Sequence, residues 1–266
     1  MAKAKIRVGI GGWTYEPWRG TFYPQGLKHA DELAYAASKL TAIEINGTYY
    51  RTQSRASFEK WRDAVPDGFI FALKASRFCT NRRVLAEAGE SIAKFLSQGL
   101  TELGDKLGPI LWQFMPTKQF DPDDFGAFLD LLPHDQDGLK LRHAVEVRHE
   151  SFRDPRFIDL AREHKVAVVF AESPDYPAIA DLTADFVYAR LMNAQERIET
   201  GYPPETLDQW AKVTKAWQAG KAPSGLAYTS ETKAKETPRD VFLFMIAADK
   251  VRNPAAAMAL IERVEG

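Results

Sequence analysis

The chain has 266 residues, enough for one large domain, and its 45% hydrophobic and 27% charged residues are ordinary for a soluble protein. Its formal net charge of −1 provides no global field that attracts nucleic acid or an anionic membrane. The single cysteine, Cys79, excludes an internal disulfide and any site with several cysteine ligands from one chain. The first residues lead directly into an apolar strand, and no apolar run is long enough to cross a bilayer, so we expect a cytoplasmic protein without membrane contacts.

Eight short apolar segments at regular intervals predict eight β-strands. They cover residues 6–12, 42–47, 69–76, 109–114, 143–149, 166–172, 186–192 and 241–247. The second and fifth segments alternate strictly between apolar and polar residues, so their charged side chains share one face of the strand. The first, sixth and eighth segments are nearly continuous apolar runs, which is typical of strands buried on both faces.

Apolar residues spaced three or four positions apart predict helices between these strands. The helical stripes lie within residues 33–40, 92–107, 125–132 and 207–217, and a last helix begins at Asn253. Asp121 followed by Pro122 provides a favourable start for the third of these stripes. The segment after Glu172 is a poor helix candidate because it contains two prolines.

Strands that alternate with helices indicate a parallel sheet covered by helices. Eight such units in about 250 residues predict a single (β/α)8 TIM-type barrel domain spanning residues 1–266. The alternative, an open doubly wound sheet, requires a GxGxxG turn after the first strand. Gly9, Gly11 and Gly12 do not have that spacing, and the bulky Trp13 follows at once, so the barrel is favoured.

In a barrel of this type the functional site lies at the carboxyl ends of the strands. Polar side chains occur at this position in six of the predicted strands, namely Glu44, Asn46, Lys74, Gln113, Glu146, Arg148, His149, Glu172 and Arg190. Trp13 and Tyr50, in the loops after the first and second strands, supply candidate aromatic walls. Charged groups inside a barrel must be paired, hydrated or bound to a ligand, so the pattern predicts a central polar site.

The chemistry of these side chains favours an enzyme that acts on a small polar anion, such as a sugar phosphate or a carboxylate. Arg148 and Arg190 suit bidentate recognition of the anion. Glu44 or Glu146 is the predicted proton-transfer group, while Lys74 tunes that group, stabilises negative charge or forms an imine. The remaining predicted ligand contacts are Trp13, Asn46, Tyr50, Gln113 and His149. Neither a metal nor a cofactor is predicted.

Three alternatives stay open at this stage. The acids Glu44, Glu146 and Glu172 and the bases Lys74, Arg148 and Arg190 can form a purely structural ion network, although burying ion pairs is rarely a route to stability. A carboxylate-histidine set, Glu44, Glu146, His149 and Glu172, can support metal-assisted phosphoester hydrolysis, but the nearby cations oppose it. A basic patch of Arg77, Arg82 and Arg83 beside Tyr49 and Tyr50 can bind nucleic acid or a phosphorylated partner.

Cys79 and three of the tryptophans are interpreted as structural residues rather than as site residues. Cys79 lies near three arginines, which lower a thiol pKa, but without a histidine close in sequence it is interpreted as an unreactive loop cysteine. The tryptophans at positions 61, 210 and 217 lie on helical apolar stripes and are expected to pack in the core.

A series of short motifs resembles the YecE-like family, known as domain of unknown function family 72. The matching residues, in chain order, are Gly11-Gly12-Trp13, Trp18, Phe22-Tyr23-Pro24, Glu44-Ile45-Asn46, Tyr49-Tyr50-Arg51, Trp61, Pro66, Phe71, Lys74, Arg77, Val145-Glu146-Val147-Arg148-His149 and Thr183 to Arg190. The resemblance covers most of the chain and implies a TIM-type barrel without an assigned reaction. An analogy with endonuclease IV-like nucleases and sugar isomerases concerns the fold alone.

The chain departs from the family pattern at two positions. Met192-Asn193 stands where many members have His-Gly after the seventh strand, and the last strand reads Phe244 to Asp249 where many members have an asparagine pair. Polar contacts from strands seven and eight are therefore not expected to follow the family pattern.

Overall fold

The computed structural model describes residues 3–247 and 249–266, and within them nine strand segments form one parallel sheet. The segments are β1 (Ile6–Gly11), β2 (Ala42–Ile45), β3 (Ile70–Lys74), β4 (Leu107–Gln113), β5 (His143–Glu146), β6 (Ala167–Val168), β7 (Phe170–Glu172), β8 (Phe186–Leu191) and β9 (Asp240–Met245). A separate antiparallel hairpin joins Asp135–Gln136 to Leu139–Lys140.

The pairing of the strands forms a nearly closed barrel. β1 pairs with both β2 and β9, which excludes an open sheet with β1 at an edge. β6 and β7 are the two halves of the predicted sixth strand, and β6 pairs with β5 while β7 pairs with β8. The predicted TIM-type architecture of eight strand positions is therefore confirmed.

The described part of the chain contains nine α-helices, eight of them between strands and the ninth after the last strand. They are α1 (Glu32–Ala37), α2 (Gly47–Tyr50), α3 (Arg55–Asp63), α4 (Arg77–Thr80), α5 (Gly89–Leu96), α6 (Pro122–Asp130), α7 (Pro155–Glu163), α8 (Pro204–Gln218) and α9 (Asn253–Glu265). Aspartates cap two of them, because Asp121 accepts from the Asp123 N–H at 3.0 Å and Asp154 accepts from the Arg156 N–H at 2.9 Å. Each cap is followed by proline at the first helical position, as expected for a sharp helix start.

One predicted helix is divided in the structure. The apolar stripe of residues 92–107 is α5 followed by a 3-10 helix, Leu100–Lys106, and its last residue already belongs to β4. The break occurs at Gly99, whose φ of +100° lies in the left-handed region that favours glycine. The prediction of a buried apolar stripe is correct, but the prediction of one continuous helix is wrong. Leu100 and Leu103 are buried in the 3-10 helix as they would be in an α-helix, so the apolar spacing does not reveal the break. No helix forms in residues 173–185, as expected.

The interior of the barrel is filled by alternate residues of its strands. Small side chains at Ala42, Ala72 and Ala144 face large ones, Phe186, Tyr188, Phe242 and Phe244, in one buried cluster. Because side chains alternate across a strand, the residues two positions later also point inward, and these are the polar residues near the carboxyl ends. Among the described helices, none is long and apolar enough to cross a membrane.

Candidate active site

Five strands each place one polar side chain at the carboxyl end of the barrel interior. Every one follows an apolar interior residue by two positions, which gives the set Glu44, Lys74, Gln113, Glu146 and Arg190. All five are buried. The alternation of side chains along a strand therefore brings these five side chains to one level of the barrel.

Arg190 is the centre of this level, with 2% of its surface exposed. Its Nε and Nη2 donate to the two carboxylate oxygens of Glu44 at 3.1 and 3.0 Å, and its Nη1 donates to Glu146. The Tyr188 hydroxyl also donates to Glu44, at 2.7 Å. The planar guanidinium thus joins two fully buried carboxylates, a geometry that matches its fixed donor fork. Nε, Nη1 and Nη2 of Arg190 all donate to these glutamates. The anion-binding role of Arg190 therefore stays a prediction.

Glu146 is an ionised acceptor in this arrangement. Its Oε1 accepts from Gln113 at 2.9 Å and from Nε of Arg148 at 2.6 Å. Burial opposes ionisation of the carboxylate, but the charges of Arg190 and Arg148 outweigh it and lower the pKa of Glu146 to about 2. Its contacts with Arg148 and Arg190 suit holding the two arginines in place, and the proton-transfer role predicted for Glu146 stays a prediction.

Lys74 is placed differently from the arginines. Its Nζ lies 4.3 Å from the centroid of the Tyr49 ring, and it forms no salt bridge with a carboxylate of the described residues. Burial, followed by the charge of Arg190, lowers the pKa of Lys74 to about 8, against the opposing effect of Glu44 and Glu146.

A cavity of about 670 Å³ opens above this polar level at the rim of the barrel. Seven predicted site residues line it, namely Trp13, Asn46, Tyr50, Lys74, Gln113, Arg148 and Arg190. Glu44 and Glu146 lie beneath its wall and do not line it. The cavity surface is therefore cationic, while the carboxylates that balance it are buried below.

Two predicted residues lie apart from this cavity. His149 follows the end of β5, and its Nδ1 accepts from the Ser151 N–H at 3.1 Å, which caps the short turn Glu150–Phe152. Glu172 accepts from the Tyr202 hydroxyl at 2.7 Å and from the Met192 N–H at 3.2 Å. Burial raises the pKa of Glu172. The predicted three-acid network is consequently reduced to two acids.

The alternatives that require a metal or a reactive thiol gain no support from the geometry. In the described ranges, no group of three or more His, Cys, Asp or Glu side chains is placed to hold a metal ion. Cys79 lies buried within α4 rather than in a loop, which corrects the sequence interpretation. Burial raises the pKa of its thiol to about 12, so the thiolate form is disfavoured.

Three aromatic side chains that contact the predicted site residues were not themselves predicted at the site. Tyr188 precedes Arg190 by two positions, and this spacing was a usable signal that it shares the same face. Trp61, expected only in the core, also lines the cavity and packs edge-on against Trp13 at 5.4 Å. Tyr176 stacks on the Arg148 guanidinium at 4.2 Å, and its position in an irregular loop gave no sequence signal.

A second cavity of about 340 Å³ adjoins the first on the side of the predicted basic patch. The two cavities share Tyr50 and Arg51. Tyr50 and Phe78, at its edge, are 65% and 62% exposed. Arg82 donates to the Phe78 carbonyl and to the Ser91 hydroxyl, so it is partly committed to local structure.

The departures from the family pattern have structural consequences. The backbone N–H groups of Met192 and Asn193 both donate to Glu172, at 3.2 and 3.4 Å, so this segment contributes main-chain rather than side-chain contacts. In the last-strand segment, β9 ends at Met245 and Ala247 lines the cavity, while Ala248 lies outside the described residues.

The strands form a parallel barrel covered by helices, and the charged cavity lies at the carboxyl ends of those strands. The chain is therefore a TIM-barrel protein, and its candidate site lies where such proteins carry their active sites. The family model described as "Protein of unknown function DUF72" matches residues 7–265, and the chain belongs to that family. The resemblance inferred from the motifs is thereby confirmed.

One sequence relative and three solved structures are similar to this chain. The UPF0759 protein YunF of Bacillus subtilis is 24% identical over 159 residues, which span 58% of this chain and 54% of that protein. A DUF72 family protein of Thermotoga maritima superposes with a TM-score of 0.71 at 21% identity, over 98% of this chain and all of the other. One from Enterococcus faecalis gives 0.70 at 19% identity, covering 99% and 98%. The protein named SacUVDE gives 0.54 at 8% identity, covering 97% and 98%, and shows a likeness of fold alone.

Proposed function

We propose that this protein is an enzyme acting on a small polar anion, a sugar phosphate or a carboxylate, bound in the 670 Å³ rim cavity. The observation that carries this proposal is the separation of charge at the site. The cations Lys74, Arg148 and Arg190 line the cavity, whereas both carboxylates lie below its wall. A negatively charged ligand therefore meets positive groups first.

The number of charged side chains at the site also favours an anionic ligand. Three cations face two fully buried carboxylates, which leaves one positive charge without a partner in the cluster. In the described part of the chain, Nη2 of Arg148 and Nζ of Lys74 have no hydrogen-bond acceptor. An anionic ligand that accepts from both groups would add charge-assisted hydrogen bonds at the cavity wall.

Roles for the individual residues follow from their positions. Arg148 is the group we assign to the anion, because Glu146 and Tyr176 orient it and one edge of its guanidinium remains free. Glu44 and Glu146 are assigned to positioning of the arginines rather than to proton transfer. Asn46 and Gln113 line the wall as candidate partners for ligand hydroxyls, and Trp13 and Tyr50 shield the cavity.

A thermal-shift screen against sugar phosphates and carboxylic acids tests the proposal. An anion at a hundred times its dissociation constant adds about 2.7 kcal/mol to the free energy of unfolding. We expect stabilisation by one class of anions that is lost in Arg148→Ala and retained in Arg156→Ala, an exposed arginine on α7. Absence of stabilisation by every anion, or equal stabilisation of the Arg148→Ala protein, contradicts it.

Single-stranded nucleic acid is a second candidate ligand, favoured by the exposed rings of Tyr50 and Phe78 beside Arg51 at the adjoining cavity. Exposed aromatic rings among cations form stacking platforms for unpaired bases. Fluorescence anisotropy with a labelled oligothymidylate should then show affinity that falls steeply with salt and drops about tenfold or more in Phe78→Ala. Equal affinity of Phe78→Ala and Tyr228→Ala, a half-exposed tyrosine in another region, argues against this candidate.

A further inference from the structure

Lys74 differs from the other lysines that are largely buried in this molecule. Lys106 is equally buried, at 8% exposure, but its Nζ donates to the carbonyls of Arg62 and Val65 at 2.8 and 2.7 Å. Lys118 donates to Asp124 at 2.7 Å. Both therefore have the acceptors that a structural lysine needs. Lys74 has no such acceptor among the described residues, and it lines the rim cavity.

The surroundings of Lys74 keep part of its amine neutral. Burial is the largest cause of its lowered pKa, followed by the like charge of Arg190, and Arg148 adds a smaller one. Glu44 and Glu146 favour the ammonium form, but both are engaged by the arginines. The face of the Tyr49 ring covers another side and, like the glutamates, favours the ammonium form. With a pKa of about 8, roughly one amine in ten is neutral at pH 7. An ordinary lysine is neutral in roughly one molecule in three thousand.

We propose that Lys74 is the nucleophile of this site and forms an imine with a small carbonyl compound that also carries a carboxylate or a phosphate. This rests on the proposed function, because Arg148 holds the anionic group while the carbonyl faces Nζ. It deepens that function by naming the substrate class and the first covalent step.

The step requires no oxidant or further reactant. The electron pair of the neutral Nζ forms a bond to the carbonyl carbon, and the carbon–oxygen π bond breaks to give a carbinolamine. The oxygen then leaves as water with both protons of the amine, and a carbon–nitrogen double bond remains. Protonation of that imine restores the single positive charge that the lysine had before the reaction.

Reductive trapping of the full-length protein tests the inference. The protein is incubated at pH 7 with glyoxylate, pyruvate or dihydroxyacetone phosphate, reduced with borohydride, digested and mapped by mass spectrometry. We expect an adduct equal to the mass of the probe less one oxygen atom, with at least tenfold higher occupancy at Lys74 than at any other lysine. The adduct should disappear in Lys74→Arg and persist in Lys212→Gln, an exposed lysine of α8.

A parallel measurement separates this inference from the proposed function. Oxalate and malonate carry carboxylates but cannot form an imine, so thermal shifts with them report anion binding alone. Anion binding that is lost in Arg148→Ala, together with no preferred adduct at Lys74 for any of the three probes, overturns the imine and leaves the proposed function standing. If Lys74→Arg fails to fold, the map of adducts in the unaltered protein decides the question.

Discussion

At the residue scale, each buried carboxylate at the polar end of the barrel is paired with donors from other strands. Arg190 satisfies Glu44 with two donors and Glu146 with a third, and Tyr188 supplies Glu44 with another donor. Buried ion pairs gain little stability over apolar packing, because desolvation offsets the attraction. Because its ion pairs add little stability, we interpret the cluster as an arrangement that holds Arg148 in its orientation toward the cavity.

Another buried group, His143, makes it possible to predict how stability changes with pH. The Trp112 indole N–H can only donate, so Nδ1 of His143 accepts from it at 3.1 Å and Nε2 donates to the Pro133 carbonyl at 2.7 Å. Protonation of Nδ1 removes that acceptor inside the protein. Burial accordingly lowers the pKa of His143 from 6.5 to about 4.

We therefore predict that the free energy of unfolding falls by about 2 kcal/mol between pH 7 and pH 5 on account of His143. The sign follows because the unfolded chain binds a proton below pH 6.5, whereas the folded protein binds it only near pH 4. Urea denaturation at both pH values measures the effect. His143→Gln should lack it, and since the two proteins share every other titrating group, parallel pH profiles contradict the prediction.

At the element scale, the approach of β1 to β2 depends on one glycine. Gly9 pairs with Ala42, and a Cβ added at Gly9 lies 1.9 Å from the Ala42 carbonyl oxygen. No other residue type fits there without displacement of β2, the strand that carries Glu44. Gly9 is therefore required for strand packing, not for a phosphate-binding turn.

Gly9→Ala should lower the free energy of unfolding by about 3 kcal/mol or more, because backbone cannot move aside as a flexible side chain does. Gly12→Ala is the matched control, since its Cβ meets nothing within 4 Å and only the φ of +72° is unfavourable. Its expected cost is about 1–2 kcal/mol. Urea denaturation of both variants makes the comparison, and equal costs are the result that rules out the close contact.

At the scale of the whole molecule, the ring of strands couples distant parts of the chain. β1 near the start pairs with β9 near the end, over the register Ile6↔Val241 to Ile10↔Met245. Because β1 to β5, β8 and β9 are each paired on both sides, loss of any one of them exposes its two neighbours. We infer that the chain folds as the single domain predicted from its length.

The single domain predicts one cooperative unfolding transition. Trp18, Trp112 and Trp217 are fully buried in the 3-10 helix Glu16–Trp18, in β4 and in α8, so their fluorescence reports on three separate regions. Urea titration curves from tryptophan fluorescence and far-ultraviolet circular dichroism should superimpose. Two separated midpoints indicate that part of the barrel unfolds independently.

Much of this architecture was determined by the sequence itself. The spacing of apolar runs and helical stripes predicted eight strand positions and a barrel. The two-residue alternation placed Glu44 and Glu146 on one face, and the ends of the strands placed Lys74 and Arg190 at the same rim. These features are local, because they depend on side-chain direction along a strand or helix. The helix boundary at Gly99 was missed because burial alone does not distinguish an α-helix from a 3-10 helix.

Only the tertiary structure decided which of these polar groups face each other and which face the cavity. Arg190 engages the two glutamates, Lys74 has no carboxylate partner among the described residues, and His149 caps a turn beyond the end of β5. The sequence pattern fixes the face of each strand on which a residue lies. The distances across the barrel depend instead on the register between strands that are far apart in the chain, and that register is set by how the whole ring closes.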